Sequence, residues 1–310
     1  MRNILSLAAL SLVVATGAQA ASVNLTESMK LTASDGAAGD YFGRSVALDG
    51  TTALIGAYGD DDKGSNSGSA YLVDTATGTQ TKITASDGAA NDNFGLSVAL
   101  DGTTALIGAG GDDDKGSNSG SAYLVDTATG TQTKLTASDG AAFDEFGISV
   151  ALDGSTALIG ADGDDDKGSY SGSAYLFDLL TGTQTKLLAE DGAAYDWFGR
   201  SVAISGTLAI VGAYRDDAYT GSAYVFDITT GAQLAKLTAS DGGTDVVFGY
   251  SVAIDGTTAL IGAFGDNGAA GAAYVFDLSS LFAPTAVPLP AGVWMLGAGL
   301  GVLGLMRRRG

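Results

Sequence analysis

The sequence predicts an all-β fold, a five-bladed β-propeller of four-stranded antiparallel blades. Three observations predict it. A Phe-Gly pair recurs at Phe42, Phe94, Phe146, Phe198 and Phe248, 52 residues apart and 50 in the last interval. Each interval carries four short apolar runs divided by turn residues. A spare copy of the fourth run stands before the first Phe-Gly, and no fourth run follows the last unit. Repetition at a fixed period of this length marks a solenoid or a propeller, and the spare run selects the propeller, because it can complete the last blade and close the ring.

Repeat one shows the elements in order. The runs are Arg44–Leu48, Thr52–Ala57, Ser69–Asp74 and Thr79–Ala85, separated by Asp49-Gly50, the Gly59–Gly68 loop and Thr77-Gly78. Asp-Gly between two apolar runs is a hairpin signal, since glycine tolerates the positive φ of a tight turn. Ala53-Leu54-Ile55-Gly56-Ala57 is apolar throughout, the pattern of a strand buried on both sheet faces. Four such strands, repeated five times, make blades that must stack to bury those faces. The spare run is Met29–Ala33, predicted to pair with the last blade and leave no free edge.

The two ends read as addresses. Residues 1–20 have a positive start at Arg2, an apolar run Ile4–Ala15 and Ala18-Gln19-Ala20 as a small-residue cleavage site, which is a signal peptide to be removed by signal peptidase. The propeller is expected over 21–280, a linker with a sorting motif over 281–292, and a hydrophobic membrane or sorting helix over 293–310. That tail reads Val287-Pro288-Leu289-Pro290-Ala291, an apolar stretch, then Arg307-Arg308-Arg309. The stretch is shorter than the ~20 residues a spanning helix needs, and the arginines would stay cytoplasmic. The arrangement resembles the VPLPA-type C-terminal sorting signals of Gram-negative bacteria, relatives of the PEP-CTERM tails. The resemblance implies handover at the inner membrane, transient or lasting anchoring there, and release by an exosortase-like enzyme. An ordinary tail anchor is the other reading; either way the body faces outward, at the cell surface or beyond it.

Composition excludes much chemistry. The 310 residues hold no Cys and no His, with 15 Lys+Arg against 35 Asp+Glu, a net charge of −20. Disulfides, thiolate metal sites, cysteine nucleophiles, the usual zinc sites and His-based triads are ruled out. Nucleic acid is not an expected partner, because its binding relies on a basic footprint. Carboxylate chemistry, calcium and surface recognition remain.

The repeat itself has a family look. Phe94-Gly95-x-Ser97-Val98-Ala99, then Ile107-Gly108-Ala109, then Gly120-Ser121-Ala122-Tyr123 resembles the FG-GAP repeat of integrin-α-like propellers and bacterial surface proteins. The resemblance covers about 250 residues and implies a propeller used for cell adhesion or ligand binding. Two departures matter: the family often has seven units, and its calcium loop, when present, follows the Phe-Gly strand, where this chain has only Asp101-Gly102-Thr103-Thr104.

Strand alternation sends most acids to one face, through the loops before the first strand and between the second and third. The alternating oxygens of Asp60, Asp62 and Asn66 are those of a calcium loop. Asp112, Asp114 and Asn118 repeat them, and Asp164 and Asp166 follow with Tyr170 in the Asn place. No closing Glu follows, so a solvated acidic loop stands beside calcium as the reading. The copies diverge around the second Asp of each preceding loop, where Tyr41, Tyr195 and Trp197 are candidates for a ligand-binding aromatic patch, with packing between blades as the alternative for Trp197. Lys82, Lys134, Lys186 and Lys236 fall on outer strands, where lysine commonly guards an edge.

The functional expectation is a non-catalytic, exported propeller that binds extracellular polysaccharide or a surface protein, with calcium as its only candidate cofactor. The alternatives are a glycosidase-like enzyme using paired carboxylates, for which Glu145, Asp162 and Glu190 are the acids peculiar to single blades, and a purely structural surface module.

Overall fold

The computed structural model describes residues 27–282. The segments expected to be a signal peptide, a sorting motif and a C-terminal helix lie outside the described residues. By its contacts the chain divides into residues 1–31 and 32–310, and the repeats lie in the second unit. Among the described residues no helix is long and apolar enough to cross a membrane.

Five antiparallel sheets follow one another along the chain. Blade one is β1 (Val46–Asp49), β2 (Thr52–Ala57), β3 (Ser69–Asp74) and β4 (Gln80–Ile83). Blade two is β5 (Val98–Asp101), β6 (Thr104–Ala109), β7 (Ser121–Asp126) and β8 (Gln132–Leu135). Blade three is β9 (Ser149–Asp153), β10 (Thr156–Ala161), β11 (Ser173–Asp178) and β12 (Thr183–Leu187). Blade four is β13 (Phe198–Ser205), β14 (Leu208–Ala213), β15 (Ser222–Asp227) and β16 (Gln233–Leu237), with the one-turn helix α1 (Asp216–Tyr219) between its middle strands. Blade five is β17 (Phe248–Asp255), β18 (Thr258–Ala263), the one-turn α2 (Asp266–Ala269) and β19 (Ala272–Asp277). These are the strands that the apolar runs predict.

The core is not one globule but four, each between neighbouring blades. One cluster joins Leu54, Ala70 and Phe94 with Ile107 and Tyr123, and three more repeat it along the array. A single blade cannot bury both its faces, so stability comes from stacking. The junctions explain two sequence features. Gly56, Gly108, Gly160 and Gly212 lie where an added Cβ would come within 1.9–2.0 Å of the carbonyl oxygen of the next blade's Phe-Gly glycine. No side chain fits there, which is why these otherwise apolar strands carry glycine. Beside them, the Phe94 N–H donates to the Ser67 carbonyl at 3.0 Å, and Phe146, Phe198 and Phe248 repeat the bond onto the blade before. The hairpin aspartates do more than turn the chain: Asp49, Asp101 and Asp153 each accept the N–H of the next blade's turn glycine at 2.6–2.7 Å.

The expected closure differs from what is seen. Blade five has three strands, and Met29–Ala33 forms no strand. Among the described residues no hydrogen bond joins blade five to blade one. Leu260 of blade five is accordingly 45% exposed where its counterparts Leu54, Leu106 and Leu158 are buried, and Val46 of blade one is 68% exposed against 8% for Val98. The physical reason is that the fifth junction, unlike the other four, is not made by consecutive units; the repeat pattern supplies both its halves but not their meeting.

Candidate functional site

One rim of the array carries the chemistry. Its loops run before each first strand and between each second and third strand, as alternation requires.

The aspartate loops are organised around lysine. In blade one the Lys82 ammonium lies 2.8 Å from Asp35, 2.8 Å from Asp60 and 2.6 Å from Asp62. Lys134 engages Asp87, Asp112 and Asp114 in the same way, and Lys186 engages Asp139, Asp164 and Asp166. In blade four Lys236 reaches Asp191 and Asp216 at 2.7 and 2.6 Å. A third-strand tyrosine completes each cluster: the Tyr123 hydroxyl donates to Asp87 at 2.7 Å and to Asp112 at 3.1 Å. Burial alone would lower the lysine pKa values; the hydrogen bonds to the surrounding carboxylates outweigh it and raise them. Burial and the bonded carboxylates push the tyrosines up.

The outer-strand lysines are therefore not edge guards. They point inward along the rim and offset part of its negative charge, which corrects the reading from sequence. The calcium candidates are brought together only in part. Asp60 and Asp62 converge with Asp35, as Asp164 and Asp166 do with Asp139, their oxygens within 4.8 Å of one another; Asp112 and Asp114 share Lys134. An ammonium already bridges each of these sets, so a divalent cation would have to displace it to use these oxygens. Asn66 and Asn118 have another reason to be there. Both sit at positive φ, 52° and 51°, where asparagine is tolerated, and their N–H groups are pinned by Asp61 and Asp113 at 2.8 and 2.7 Å.

Blades three to five carry a different surface. Tyr170 stacks on Tyr195 and on Trp197, with ring centroids 6.1 and 5.7 Å apart. Trp197 meets Tyr214 edge-on, Tyr214 meets Tyr250, and Tyr250 meets Phe264 at 4.7 Å. The Arg215 guanidinium lies 4.2 Å over the Trp197 ring and 5.1 Å from that of Tyr219. Tyr195 is 58% exposed and Phe264 54%, with Tyr170, Tyr219 and Tyr250 also open to solvent. The Trp197 indole Nε1 and the Arg215 Nε have no hydrogen-bond partner within the protein.

Tyr170, Tyr195, Trp197 and Tyr219 all have φ between 54° and 70°, the left-handed backbone that blade two adopts with asparagine at the first three positions and blade three with Phe143 and Glu145. The loops hold it with backbone bonds from Tyr195 to Ser169 and from Trp197 to Tyr170.

Of the predicted patch, the structure brings Tyr195 and Trp197 together through Tyr170. Tyr41 is separate, stacked on Tyr58 in blade one at 5.0 Å. Sequence reasoning missed Tyr170 as a ring partner, along with Tyr214, Arg215, Tyr219, Tyr250 and Phe264. Tyr170 was legible as an aromatic that stands where the sister copies have Asn66 and Asn118.

The acids peculiar to single blades form no open pair. Asp162 is 1% exposed, with Arg200 Nη1 at 3.5 Å. Burial pushes Asp162 up to about 7, against the pull of Arg200 and with a further push from Glu145. Glu190 is exposed and contributes its carbonyl, at 2.9 Å from Lys167 Nζ. The first strands of all five blades line a central cavity of roughly 280 Å³, with Arg44, Ser97, Ser149, Arg200 and Tyr250 among its walls.

Comparison with known families gives five consecutive matches to the FG-GAP repeat, over residues 25–73, 77–125, 129–177, 181–226 and 232–276. No curated protein matches the chain.

Proposed function

The chain belongs to the FG-GAP repeat family, whose repeats build β-propeller-type binding modules, and we propose that it is an exported, non-catalytic module that binds a neutral surface polysaccharide. The observation that carries this reading is the exposed aromatic patch of blades three to five. Flat rings offer large apolar faces at low entropic cost and polar edges for orientation. A net charge of −20 repels polyanions and leaves neutral polymers as the better fit.

The absence of catalysis rests on the same geometry. Two carboxylates must flank the scissile bond in a glycosidase, whereas Asp162 is buried against Arg200 and Glu190 is turned outward. Location rests on the two ends: signal peptidase cleavage after Ala20 and sorting at Val287–Ala291 place the module outside the inner membrane. N-terminal sequencing and the intact mass of the mature protein test that part. Calcium enters this reading only as a competitor of the lysines.

Affinity electrophoresis in gels cast with neutral and acidic polysaccharides tests the ligand. Retardation by a neutral polymer, lost in Trp197→Ala and Tyr195→Ala and kept in Tyr41→Ala, is the expected result. Retardation that survives Trp197→Ala refutes the assignment of the patch.

A further inference from the structure

The repeats differ where the rim loops enter the first strands. The residue after each Phe-Gly pair is Arg44, Leu96, Ile148, Arg200 or Tyr250, and a serine follows it in every blade. These residues line the central cavity of roughly 280 Å³. The serines join neighbouring blades. The Ser45, Ser149 and Ser201 hydroxyls donate at 2.7–2.8 Å to the Gly95, Gly199 and Gly249 carbonyls of the next blade, and Ser97 Oγ accepts the Val150 N–H at 3.0 Å. What the cavity can recognise is therefore set by the residue before each serine: two guanidinium groups and a phenol, on a wall that is otherwise aliphatic.

The charge there runs against that of the chain. The described residues hold three arginines in a chain of net charge −20, and two of them line this one cavity, with no carboxylate among its lining residues. Neither is held in a tight ion pair. Arg44 is exposed. Of the described arginines only Arg200 lies within ion-pair distance of an acid, with Asp162 at 3.5 Å, longer than the ~2.7–2.9 Å of a charge-assisted hydrogen bond. Glu145 is the other acid near Arg200. By contrast, Lys82 on the rim sits 2.6–2.8 Å from three aspartates.

We propose that the central cavity binds one carboxylate-bearing sugar unit, a uronate, with its carboxylate taken by Arg44 and Arg200 and its ring set against Tyr250 and the aliphatic wall. Guanidinium forks match a carboxylate in geometry as well as charge. Pockets for drug-sized ligands run to about 300–1,000 Å³, so this one takes about one sugar ring and not a folded chain. Leu96, Ile148 and Val150 line the cavity too, and they would leave a fully hydrated inorganic anion without partners on that side. Tyr250 belongs both to the cavity wall and to the aromatic row, between Tyr214 and Phe264, so cavity and patch form one continuous surface. The inference rests on the polysaccharide reading for the sugar; the arginines carry the carboxylate. An acidic rim repels a polyanion far more than a single charge, and the ligand is then a largely neutral chain with one acidic end unit.

Calorimetric titration of the full chain with D-glucuronate, D-glucose and sodium sulfate, each alone, tests the site. The expected result is one saturable site for glucuronate, with glucose and sulfate at least about tenfold weaker. Arg44→Gln should weaken glucuronate binding about tenfold, as expected for losing a hydrogen bond to a charged group. Arg44 has no ion pair to lose, so an unchanged melting temperature shows that this variant is folded. Arg200→Gln/Asp162→Asn removes the second guanidinium without leaving a buried carboxylate uncompensated, and it should weaken binding by a similar factor. The absence of saturable glucuronate binding overturns the proposal. So does sulfate or glucose bound as tightly as glucuronate, or binding that Arg44→Gln leaves unchanged. The gel assay separates this outcome from the polysaccharide reading: retardation by a neutral polymer without glucuronate binding strikes out the cavity alone, and glucuronate binding without retardation strikes out the patch alone.

Discussion

Replacing Lys186 by methionine isolates what the lysine clusters contribute. The ammonium faces Asp139 at 2.8 Å, Asp164 at 2.7 Å and Asp166 at 2.5 Å, but the three carboxylates are not equivalent: the side chains of Asp139 and Asp166 are 47% and 50% exposed, and that of Asp164 is 5% exposed. The two exposed pairs contribute about 0–1 kcal/mol each. Removing one partner of a buried pair costs about 3–5 kcal/mol, because a charge is left without compensation. The Tyr175 hydroxyl still donates to Asp164 at 3.1 Å in the variant, so the low end applies, about 3 kcal/mol. At ~2–4 °C per kcal/mol the melting temperature should fall by roughly 6–12 °C. The folded-state pKa of Lys186 is raised above its unfolded value; its contribution is therefore complete below the unfolded pKa and is lost only as pH rises through the folded one. Urea unfolding at neutral and mildly alkaline pH should show the same difference between wild type and variant. Adding Asp164→Asn removes the orphaned charge and should recover part of the loss. A difference below about 0.5 kcal/mol, or a double variant no more stable than the single one, would refute the assignment of Asp164 as the buried partner.

Other consequences are equally open to measurement. Calorimetric titration with calcium should give no saturable heat in the wild type and a saturable site in Lys186→Met, where three carboxylates lose their ammonium; saturable binding by the wild type would show that the lysines yield. Burial pushes Asp92, Asp144 and Asp196 up to about 6, against the N–H bonds their carboxylates accept, so the folded state holds more protons than the unfolded one in that window. Asp87, Asp139 and Asp191 are held low by their lysines in spite of burial, and their contribution is lost as pH falls through those values. A melting-temperature scan should accordingly rise from pH 7 to about pH 5 and fall below about pH 4; a steady decline from neutrality would contradict the burial of the first three. Gly160→Ala places a Cβ 1.9 Å from the Gly199 carbonyl oxygen, and that overpacking should cost about 3 kcal/mol in denaturant unfolding, whereas a neutral result would mean the junction can slide.

The blades were legible because their information is local and repeated. Asp49-Gly50 names a hairpin, and the doubly buried pattern of Ala53–Ala57 names a central strand, without reference to anything distant. Tyr195 and Trp197 stood out for a similar reason, as rings where sister copies have other residues. The destination of Lys82 was not legible. Its partners are Asp35, 47 positions earlier, and Asp60, 22 positions earlier, and only the strand register brings them together. Asn66 shows the opposite difficulty: a polar residue at a ligand-like spacing also sits at a positive φ, which its spacing does not reveal. Asp216 of blade four lies in a shorter loop, yet α1 delivers it to the same lysine–tyrosine cluster as the longer loops. The relation of the two end blades was the least accessible feature, since it depends on the curvature accumulated over four junctions and not on any one of them.

Those four junctions have a consequence for how such a gene can change. Each is made by a second-strand glycine with no room for a side chain and by a Phe-Gly pair bonded to the blade before. The chemistry on either side of a junction is the same whichever units meet there. An in-frame duplication or loss of one unit of about 52 residues therefore regenerates a working joint at the point of exchange. The aromatic surface occupies the C-terminal three units, so gains and losses among the first two leave it intact. The number of blades can drift on an evolutionary timescale while the aromatic surface stays fixed.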